Sequence, residues 1–407
     1  MNCRHCNAPL RHTFLDLGFA PASNAYLSRD DLSRPEPYFP LRVKVCDSCW
    51  LVQTEDFASA NELFTDEYAY FSSTSSTWLE HAERYAEAMI TELGLTADSY
   101  VMEVASNDGY LLKNFLAADI PCLGIEPTAS TAEAAERLGI PVMRKFFGES
   151  LAEELARDGH RADLIIGNNV YAHVPDINDF TLGLKAALKQ GGTVTLEFPH
   201  VMQLLNYSQF DTVYHEHFSY LSLTAVDQIF SRAGLRVWRV EQIQTHGGSL
   251  RIYGCHADDS RGTEQSVSAV LQKEIECGLR ELDAYLQLQG SAERIKNEFL
   301  AFLLEKRLTG ETVVAYGAAA KGNTLLNFAG VKPDLLPVVC DAAEAKQGMF
   351  LPGSHIPIVP PSTIKEMKPD YVVVLPWNII DEVKLQNAEV ADSGGRFVTA
   401  IPKLAII

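Results

Sequence analysis

The sequence predicts an α/β protein in which two doubly wound, Rossmann-like domains follow a small zinc-binding module. Three observations support this fold class. Two CxxC pairs stand near the start of the chain, at residues 3–6 and 46–49. From about residue 76 onward, short apolar strands alternate with helix-like stretches, an alternation typical of parallel sheets covered by helices. A glycine turn joins strand to helix at residue 109 and again at residue 317.

The length of the chain favours several domains, because 407 residues exceed what one ordinary core accommodates. We place the zinc-binding module at residues 1–75 and the first Rossmann-like domain at 76–256. A helical connector follows at 257–307, and a second Rossmann-like domain occupies 308–407.

Charge and hydropathy exclude two classes of partner. A net charge of −19 opposes binding to nucleic acid, which requires a basic surface. No apolar run approaches the roughly 18–20 residues that cross a bilayer. The N-terminus also lacks the apolar core of a signal peptide. We therefore expect a cytoplasmic protein with no nucleic-acid or membrane partner, whose thiols stay reduced. A pocket shared between domains would give stable internal contacts, so we expect a monomer.

The two CxxC pairs predict a structural zinc site. Two thiolates three positions apart can reach one ion, and a second pair completes a closed tetrahedral site. The predicted ligands are Cys3, Cys6, Cys46 and Cys49. A short segment with few apolar residues needs such a metal to fold.

Polar residues at the ends of successive strands predict a nucleotide-type site at the edge of the first Rossmann-like sheet. Glu126 ends the second strand, where a carboxylate can accept hydrogen bonds from both ribose hydroxyls. Phe146 either flanks an adenine or belongs to the core. The candidate contacts are Glu103, Ser106, Asn107, Gly109, Glu126, Phe146, Asn168 and Asn169.

This order of strands and turns resembles a class I methyltransferase. The resemblance implies S-adenosylmethionine as the methyl donor, with its methionine part held by the first strand end and the glycine turn. The sequence departs from the usual motif, because only Gly109 stands where two or three glycines are expected. A dinucleotide-binding fold with one glycine would look similar.

The stretch Tyr-His-Glu-His at 214–217 concentrates groups that bind metals or transfer protons. Adjacent side chains point in different directions, so one ion could not easily collect all three. Proton transfer is the more natural role, because an imidazole titrates near neutral pH and a carboxylate can orient it. Two further polar stretches, at 68–73 and 168–176, add Ser72 and Ser73 as candidate substrate contacts.

The whole set of motifs resembles the sugar C-methyltransferases of bacterial deoxysugar pathways, in order and over nearly the whole chain. The motifs are the CxxC pairs, Ser-Asn-Asp-Gly at 106–109, the stretch at 214–217, His-Gly-Gly-Ser-Leu-Arg at 246–251 and Gly-Ala-Ala-Ala-Lys-Gly at 317–322. The resemblance implies a nucleoside-diphosphate-linked 4-keto-6-deoxy sugar as substrate and methylation beside the ketone, often at C-3.

The same resemblance implies roles for particular residues. His217 matches the base that removes the proton from the sugar carbon. The matched lining residues of the pocket are His173, Tyr214, Glu216 and Tyr68 or Tyr70. His246 is a further candidate for substrate contact, because the glycines beside it allow close approach of the backbone.

The turn at 317–322 leaves three interpretations of the second Rossmann-like domain open. Gly317 and Lys321 could hold the diphosphate of the substrate at a helix N-terminus. The domain could instead be a wall, with Lys321 solvated. A true NAD site, with Asp341 on the ribose, is the third possibility.

Two other functions compete with methyl transfer. An NAD-dependent oxidoreductase or epimerase of sugar nucleotides fits the single-glycine turns, but the sequence has no Tyr-x-x-x-Lys pair of the short-chain dehydrogenase type. A zinc-ribbon adaptor with two inert domains fits the CxxC pairs. The many polar residues on strand-end loops argue against inert domains.

Overall fold

Three β-sheets organise the part of the chain that the structure describes. A computed structural model gives residues 1–57, 72–74 and 76–407. The strands of this part are β1 (His12–Ala20), β2 (Phe39–Val45), β3 (Val52–Thr54), β4 (Val101–Val104), β5 (Cys122–Ile125), β6 (Val142–Met143), β7 (Ala162–Asn168), β8 (Leu188–Pro199), β9 (Ser219–Tyr220), β10 (Leu235–Ile243), β11 (Ser249–His256), β12 (Val313–Tyr316), β13 (Val339–Cys340), β14 (Ile358–Val359), β15 (Tyr371–Val374), β16 (Arg396–Thr399) and β17 (Ala405–Ile406).

Helices connect these strands and cover the sheets. They are α1 (Ser76–Leu93), α2 (Leu112–Ala117), α3 (Ala129–Arg137), α4 (Glu149–Arg157), α5 (Ile177–Ala187), α6 (Val201–Asn206), α7 (Leu223–Ala233), α8 (Gln265–Glu276), α9 (Leu282–Leu286), α10 (Leu288–Thr309), α11 (Ala320–Ala329), α12 (Ser362–Met367), α13 (Ile380–Gln386) and α14 (Glu389–Asp392). Local sequence fixes several ends. Ser222 caps α7 by accepting the Ala225 N–H, and Gly234 ends the helix in the left-handed conformation.

The first sheet is small and antiparallel, with strand order β1-β2-β3-β9. The cysteine pairs lie beside it: one pair precedes β1, and the other occupies the turn between β2 and β3. Its fourth strand, β9, comes from residues 219–220, far along the chain from β3. The sheet is therefore completed only by a segment that lies between α6 and α7 in sequence.

The second sheet has the order β10-β11-β8-β7-β4-β5-β6. Strands β4 to β8 pair in parallel, while β10 and β11 run antiparallel. Every residue of β4 and β5 is buried, as expected for parallel strands with helices on both faces. The strand order reverses at β4, where β5 lies on one side and β7 on the other. Ligands bind at such a reversal, outside the carboxyl ends of the strands.

The third sheet has the order β14-β13-β12-β15-β16-β17 and is parallel except for β17. Its first strand, β12, runs into α11 through the turn at 317–319. The predicted fold class, two Rossmann-like α/β sheets after a cysteine-rich module, is confirmed. Among the helices of residues 1–57, 72–74 and 76–407, none has the length and apolarity to cross a membrane.

The first and third sheets share one hydrophobic cluster with the segment between α6 and β9. The cluster contains Phe14 of β1, Phe210 and Val213 of that segment, and Val313 of β12. The hydroxyl of Thr324 on α11 also donates to the Val213 carbonyl oxygen at 2.8 Å. Residues 210–217 are therefore packed between the first and third sheets. They lie next to the carboxyl ends of the strands of the second sheet.

Candidate active site

The four paired cysteines form a cluster that fits a zinc ion. Their sulfur atoms all lie within 4.8 Å of one another, with 3.5 Å between Cys3 and Cys49 and 3.5 Å between Cys6 and Cys46. A tetrahedron of Zn–S bonds of about 2.3 Å separates its sulfur atoms by roughly 3.8 Å. The Gln53 amide donates to the Cys3 sulfur at 3.2 Å, as an outer-shell partner of a ligand does.

The backbone around each cysteine pair adopts the tight turn that such a site requires. Asn7 and Trp50 follow the second cysteine of each pair, and both have positive φ, 64° and 61°. The N–H of each donates to the carbonyl of the first cysteine of its pair, at 2.9 Å. His5 stands inside the first pair but bonds Asn178 through Nδ1 at 2.8 Å, so the thiols alone make the ligand set.

A cavity of about 700 Å³ opens at the carboxyl ends of the second sheet. The loops that follow β4, β5 and β7 form one end of its wall. Thr212, Tyr214 and His217 form the middle. The other end is formed by Ala319, Ala320, Lys321, Lys346, Pro376, Asn378 and Ile379. We call these the donor end, the histidine wall and the lysine end. The cavity therefore brings together stretches that the sequence analysis singled out separately.

The donor end carries polar groups suited to a nucleoside and an amino acid. One Glu126 oxygen accepts the Asn107 N–H and the other accepts the Thr128 N–H, both at 2.9 Å. Each oxygen keeps a lone pair for a ribose hydroxyl. Neither amide atom of Asn168 has a hydrogen-bond partner in the described part of the chain, although the side chain is buried. Asn168 and Asn169 both line the cavity.

The loop after β4 explains why one glycine is enough. Gly109 has φ of 78°, and a Cβ there would lie 2.5 Å from Ile140 and 3.1 Å from Ala135 of α3. Gly109 is thus required by the packing of α3. The side chain of Ser106 packs against Gly124 of β5, where a Cβ would lie 2.4 Å from its oxygen. Close packing of this turn on β5 thus depends on Gly124 as well as on Gly109.

Three predicted donor contacts lie behind the wall and not on it. Glu103, Ser106 and Gly109 are absent from the lining of the cavity, and Glu103 is 1% exposed. Burial, and then the carboxylates of Glu126 and Asp108, raise the pKa of Glu103 well above its usual range. Phe146 does line the cavity, and its ring is half exposed there.

The histidine wall presents His217 in a defined tautomer. Nδ1 of His217 lies 2.9 Å from the Thr212 carbonyl oxygen, and a carbonyl only accepts, so Nδ1 carries the hydrogen. Nε2 is therefore the basic nitrogen, and the Tyr214 hydroxyl donates to it at 2.8 Å. The His173 ring stands edge-on to the His217 ring, with 4.6 Å between centres. All three side chains line the cavity.

Glu216 takes a different place from the one the resemblance implied. It lies outside the cavity lining, where one of its oxygens accepts the backbone and side-chain N–H groups of Asn24 at 3.3 and 3.1 Å. Asn24 itself lines the cavity. Glu216 thus contacts the N-terminal segment and orients Asn24. Tyr68 and Tyr70 lie outside the described residues.

Burial sets the protonation state of the imidazoles around the cavity. It lowers the pKa of His173 to about 4 and that of His246 to about 4. It also lowers the pKa of His217 well below the ordinary value of 6.5, and the nearby His173 adds to the effect. All three rings are neutral at neutral pH, so Nε2 of His217 carries no proton and can act as a base.

The N-terminal boundary of the donor end is a pair of serines. The Ser72 N–H donates to the Asn107 side chain at 2.9 Å, and the Ser73 N–H donates to Asp108 at 3.0 Å. Ser72 lines the cavity, whereas Ser73 is exposed and does not. These contacts tie the segment before α1 to the loop after β4.

At the lysine end, Lys321 lines the cavity. It donates to the Asn378 side chain at 3.1 Å and to the His246 carbonyl at 3.4 Å. The His246 ring lines the cavity, with no partner for Nε2 in the described residues. Gly317 does not line it: its missing Cβ makes room for Pro376, which a Cβ would approach to 2.3 Å.

Several lining residues belong to no motif that the sequence singled out, and three of them contribute polar or aromatic groups that matter for the site. Trp78 of α1 stacks on His81 at 4.8 Å between ring centres and faces the donor end. Lys346 also lines the lysine end and donates to the Ala318 carbonyl at 2.9 Å. Asn24 is the third. Trp78 could have been found from its place at the start of an amphipathic helix; Lys346 and Asn24 carry no local signal.

Comparison with known proteins identifies the parts of this chain. Residues 3–64 match a family described as a zinc binding domain. Residues 78–240 match a methyltransferase domain, and residues 244–402 match the C-methyltransferase C-terminal domain. The C-methyltransferase NovU of Streptomyces niveus is 32% identical over 405 residues, which cover all of this chain and 96% of that protein.

Solved structures that resemble part of this chain are more distant in sequence. Magnesium protoporphyrin IX methyltransferase from Synechocystis, with bound SAM, is 12% identical. It has a TM-score of 0.34 and covers 44% of this chain and 79% of that one. The YcgJ protein of Bacillus subtilis is 14% identical, with a TM-score of 0.36, over 44% of this chain and 99% of that one.

The full-length relative and the three domain matches agree with the geometry. The four-cysteine cluster lies in the part that matches the zinc binding domain. The donor end of the cavity lies in the part that matches the methyltransferase domain. The chain belongs to the family of S-adenosylmethionine-dependent C-methyltransferases that carry an N-terminal zinc-binding domain.

Proposed function

We propose that this protein methylates the carbon beside the ketone of a nucleoside-diphosphate-linked 4-keto-6-deoxy sugar, at C-3, with His217 as the base. One observation carries the proposal. His217 lines the cavity with Nδ1–H fixed on a carbonyl and with Nε2 unprotonated, between the donor end and the lysine end. A carbon beside a carbonyl is acidic enough to lose its proton to such a group.

Proton removal leaves an enolate that needs stabilisation. The Tyr214 hydroxyl lies 2.8 Å from Nε2 of His217, so it is close to any carbon that reaches Nε2. When the substrate C–H takes its place at Nε2, the hydroxyl can donate to the developing enolate oxygen. After transfer the imidazole is protonated on both nitrogens, and the Thr212 carbonyl then faces an N–H of a cation, which strengthens that bond.

The donor end supplies the groups that would hold S-adenosylmethionine. Glu126 keeps acceptor capacity for the ribose hydroxyls, and the unpartnered amide of Asn168 is available for the polar part of the donor. Phe146 and Trp78 offer aromatic surfaces on the same wall. When bound, S-adenosylmethionine supplies the electrophilic methyl group that the enolate carbon acquires.

The lysine end fits the diphosphate of the substrate. Lys321 and Lys346 both line it, and α11 begins there with Ala319 and Ala320 on the wall. Small residues leave the first N–H groups of this ten-residue helix accessible to an anion. Two cations at one end of the cavity stand out in a chain with net charge −19.

Turnover with a panel of sugar nucleotides tests this function. The protein is incubated with methyl-labelled S-adenosylmethionine and dTDP- or GDP-linked 4-keto-6-deoxy sugars, and the product is located by mass spectrometry and NMR. We expect label on the carbon next to the ketone. The matched 4-hydroxy sugars should receive none, because their C–H is not acidic. Label on oxygen or nitrogen, or equal label in the 4-hydroxy controls, would contradict the proposal.

Replacing Lys321 by alanine should weaken binding of the nucleoside diphosphate by about tenfold, or roughly 1.4 kcal/mol. Loss of this half-buried cation removes its attraction for phosphate but leaves the donor end intact. Isothermal titration with dTDP and GDP measures the change. Lys403→Ala, at an exposed lysine of the same C-terminal part, is the control and should bind normally. Equal affinity of both variants would support the wall interpretation.

The pH profile should reflect the lowered pKa of His217. The base acts in its neutral form, and burial moves its pKa below 6.5. Activity should therefore persist at pH values at which a histidine of ordinary pKa would already be protonated. We expect kcat/KM to stay level from about pH 8 down to about pH 6.5 and to fall only below it. An acidic limb centred above 6.5 would show that His217 is not the titrating base.

A further inference from the structure

The indole of Trp377 lies between the lysine end and the histidine wall. It belongs to the short 3-10 segment Trp377–Ile379, which follows β15. Its Nε1–H donates to Asp211 Oδ2 at 2.7 Å. Asp211 is 1% exposed, and its other oxygen has no partner in the described residues. The indole N–H is therefore a principal side-chain contact of a buried carboxyl group.

The face of the same indole carries the ammonium group of Lys321, 4.9 Å from the ring centre. A cation over an indole ring is held by the charge distribution of the ring. Lys321 and Asp211 make no direct ion pair in the described part of the chain, but both contact Trp377. One side chain thus contacts both the cation of the lysine end and the carboxyl group behind the histidine wall.

The loop at 245–248 is shaped around this indole. A Cβ on Gly247 would lie 2.5 Å from the Trp377 ring and 2.9 Å from the Gln209 amide. Gly247 has φ of 89°, and its carbonyl accepts the Gln209 amide N–H at 2.8 Å. The role of the glycine motif at 246–251 could not be predicted from the sequence. In the structure, its Gly247 leaves the space in which Trp377 packs against residues 209–212.

Asp211 is the residue immediately before Thr212, whose carbonyl holds Nδ1–H of His217 at 2.9 Å. Both residues belong to the 3-10 segment Phe210–Thr212. The Thr212 hydroxyl also donates to the Gln209 carbonyl at 2.7 Å. The direction of the carbonyl that selects the tautomer of His217 is therefore set within a turn that Trp377 anchors through Asp211.

We infer that Trp377 and Asp211 are positioning residues that connect the Lys321 end of the cavity to His217 by holding the Thr212 carbonyl. The inference rests on the proposed role of His217 as the base. A phosphate bound to Lys321 would act on the ammonium group that lies over the same indole whose N–H holds Asp211. Binding at the lysine end and alignment of the base then depend on one side chain.

The tautomer of His217 in the free protein tests this inference without substrate. The protein is labelled with ¹⁵N-histidine, and the ring signal of His217, one of 11 histidines, is assigned from its loss in His217→Asn. We expect the Nδ1–H tautomer in the wild-type protein and a mixture of both tautomers in Trp377→Phe. Trp238→Phe, at a tryptophan that packs on Tyr253 away from the cavity, should keep the wild-type signal.

An unchanged tautomer in Trp377→Phe overturns the inference, whatever happens to turnover. The measurement needs neither the sugar nor the methyl donor, so failure of the proposed function would appear separately, as absence of methylated product in the wild type. Melting temperatures of the two phenylalanine variants show whether each is folded. If Trp377→Phe does not fold, Asp211→Ala, which removes the acceptor of the indole N–H, provides the second test: we expect a mixture of tautomers, and an unchanged Nδ1–H tautomer overturns the inference.

The separate effects on kcat and KM distinguish a positioning role from a purely structural one. Trp377→Phe should lower kcat about tenfold or more while KM for the sugar nucleotide changes less than in Lys321→Ala. Asp211→Asn should retain kcat within about threefold of wild type, because an amide oxygen still accepts the indole N–H. A Trp377→Phe variant with kcat close to the wild-type value, or an Asp211→Asn variant as slow as Trp377→Phe, would count against the inference.

Discussion

His217→Asn should lose most of its turnover, by on the order of 10²–10⁴, the usual effect of removing a general base. Asparagine is similar in size and can still donate to the Thr212 carbonyl, but it has no basic nitrogen at the position of Nε2. Binding of S-adenosylmethionine should survive, since His217 lies on the wall between the two ends of the cavity and Glu126 and Asn168 are untouched. Single-turnover assays and isothermal titration measure the two properties separately.

His160→Asn is the matched control. This histidine is exposed and lies just before the amino end of β7. The cavity opens at the opposite, carboxyl ends of these strands. We expect wild-type turnover from it. Turnover of His217→Asn within about fivefold of this control would remove His217 from the role of base. Loss of donor binding in His217→Asn would instead point to a collapsed cavity.

Cys46→Ser should release the zinc ion and unfold the N-terminal module. Structural zinc contributes roughly 10 kcal/mol or more of apparent folding free energy in small zinc modules. Cys3, Cys46 and Cys49 are also buried in the same hydrophobic cluster as Leu223 and Val226 of α7. Release of the ion therefore leaves the remaining cysteines inside that cluster without the metal that held them together.

Metal analysis and hydrogen exchange check the zinc prediction. Wild-type protein should carry one zinc ion per chain, and Cys46→Ser should carry much less and exchange rapidly over residues 1–57. Cys277→Ser, at an exposed cysteine outside the cluster, should match the wild type in both measurements. Full zinc content and slow exchange in Cys46→Ser would show that the four thiols are not the ligand set.

Much of the fold can be predicted from short local patterns in the sequence. The strands β4 and β7 are runs of apolar residues that end in polar loops, and a parallel sheet requires both. The CxxC pairs predicted the cysteine cluster because their spacing alone brings two thiols to one point. The imidazoles at 173 and 217 were predicted from a resemblance in sequence, and they lie together because the loop after β7 faces residues 212–217.

The rest of the site depends on contacts between residues far apart in sequence. Glu216 leaves the cavity because Asn24, nearly two hundred residues earlier, offers it two N–H donors. Lys346 reaches the lysine end only through the return of the chain after β13. Gly317 seemed a ligand contact, but the space it leaves is taken by Pro376. No periodicity or motif in one sequence encodes such pairings.

The short strand β9 links two regions that homology would treat as separate modules. Residues 219–220 complete the cysteine-rich sheet by pairing with β3, and they begin two positions after His217. A chimera that exchanged only residues 1–57 with those of a relative would join a foreign edge to this strand and shift the adjoining imidazole. Chimeras of family members should therefore be active only when residues 210–221 and the N-terminal part come from the same parent.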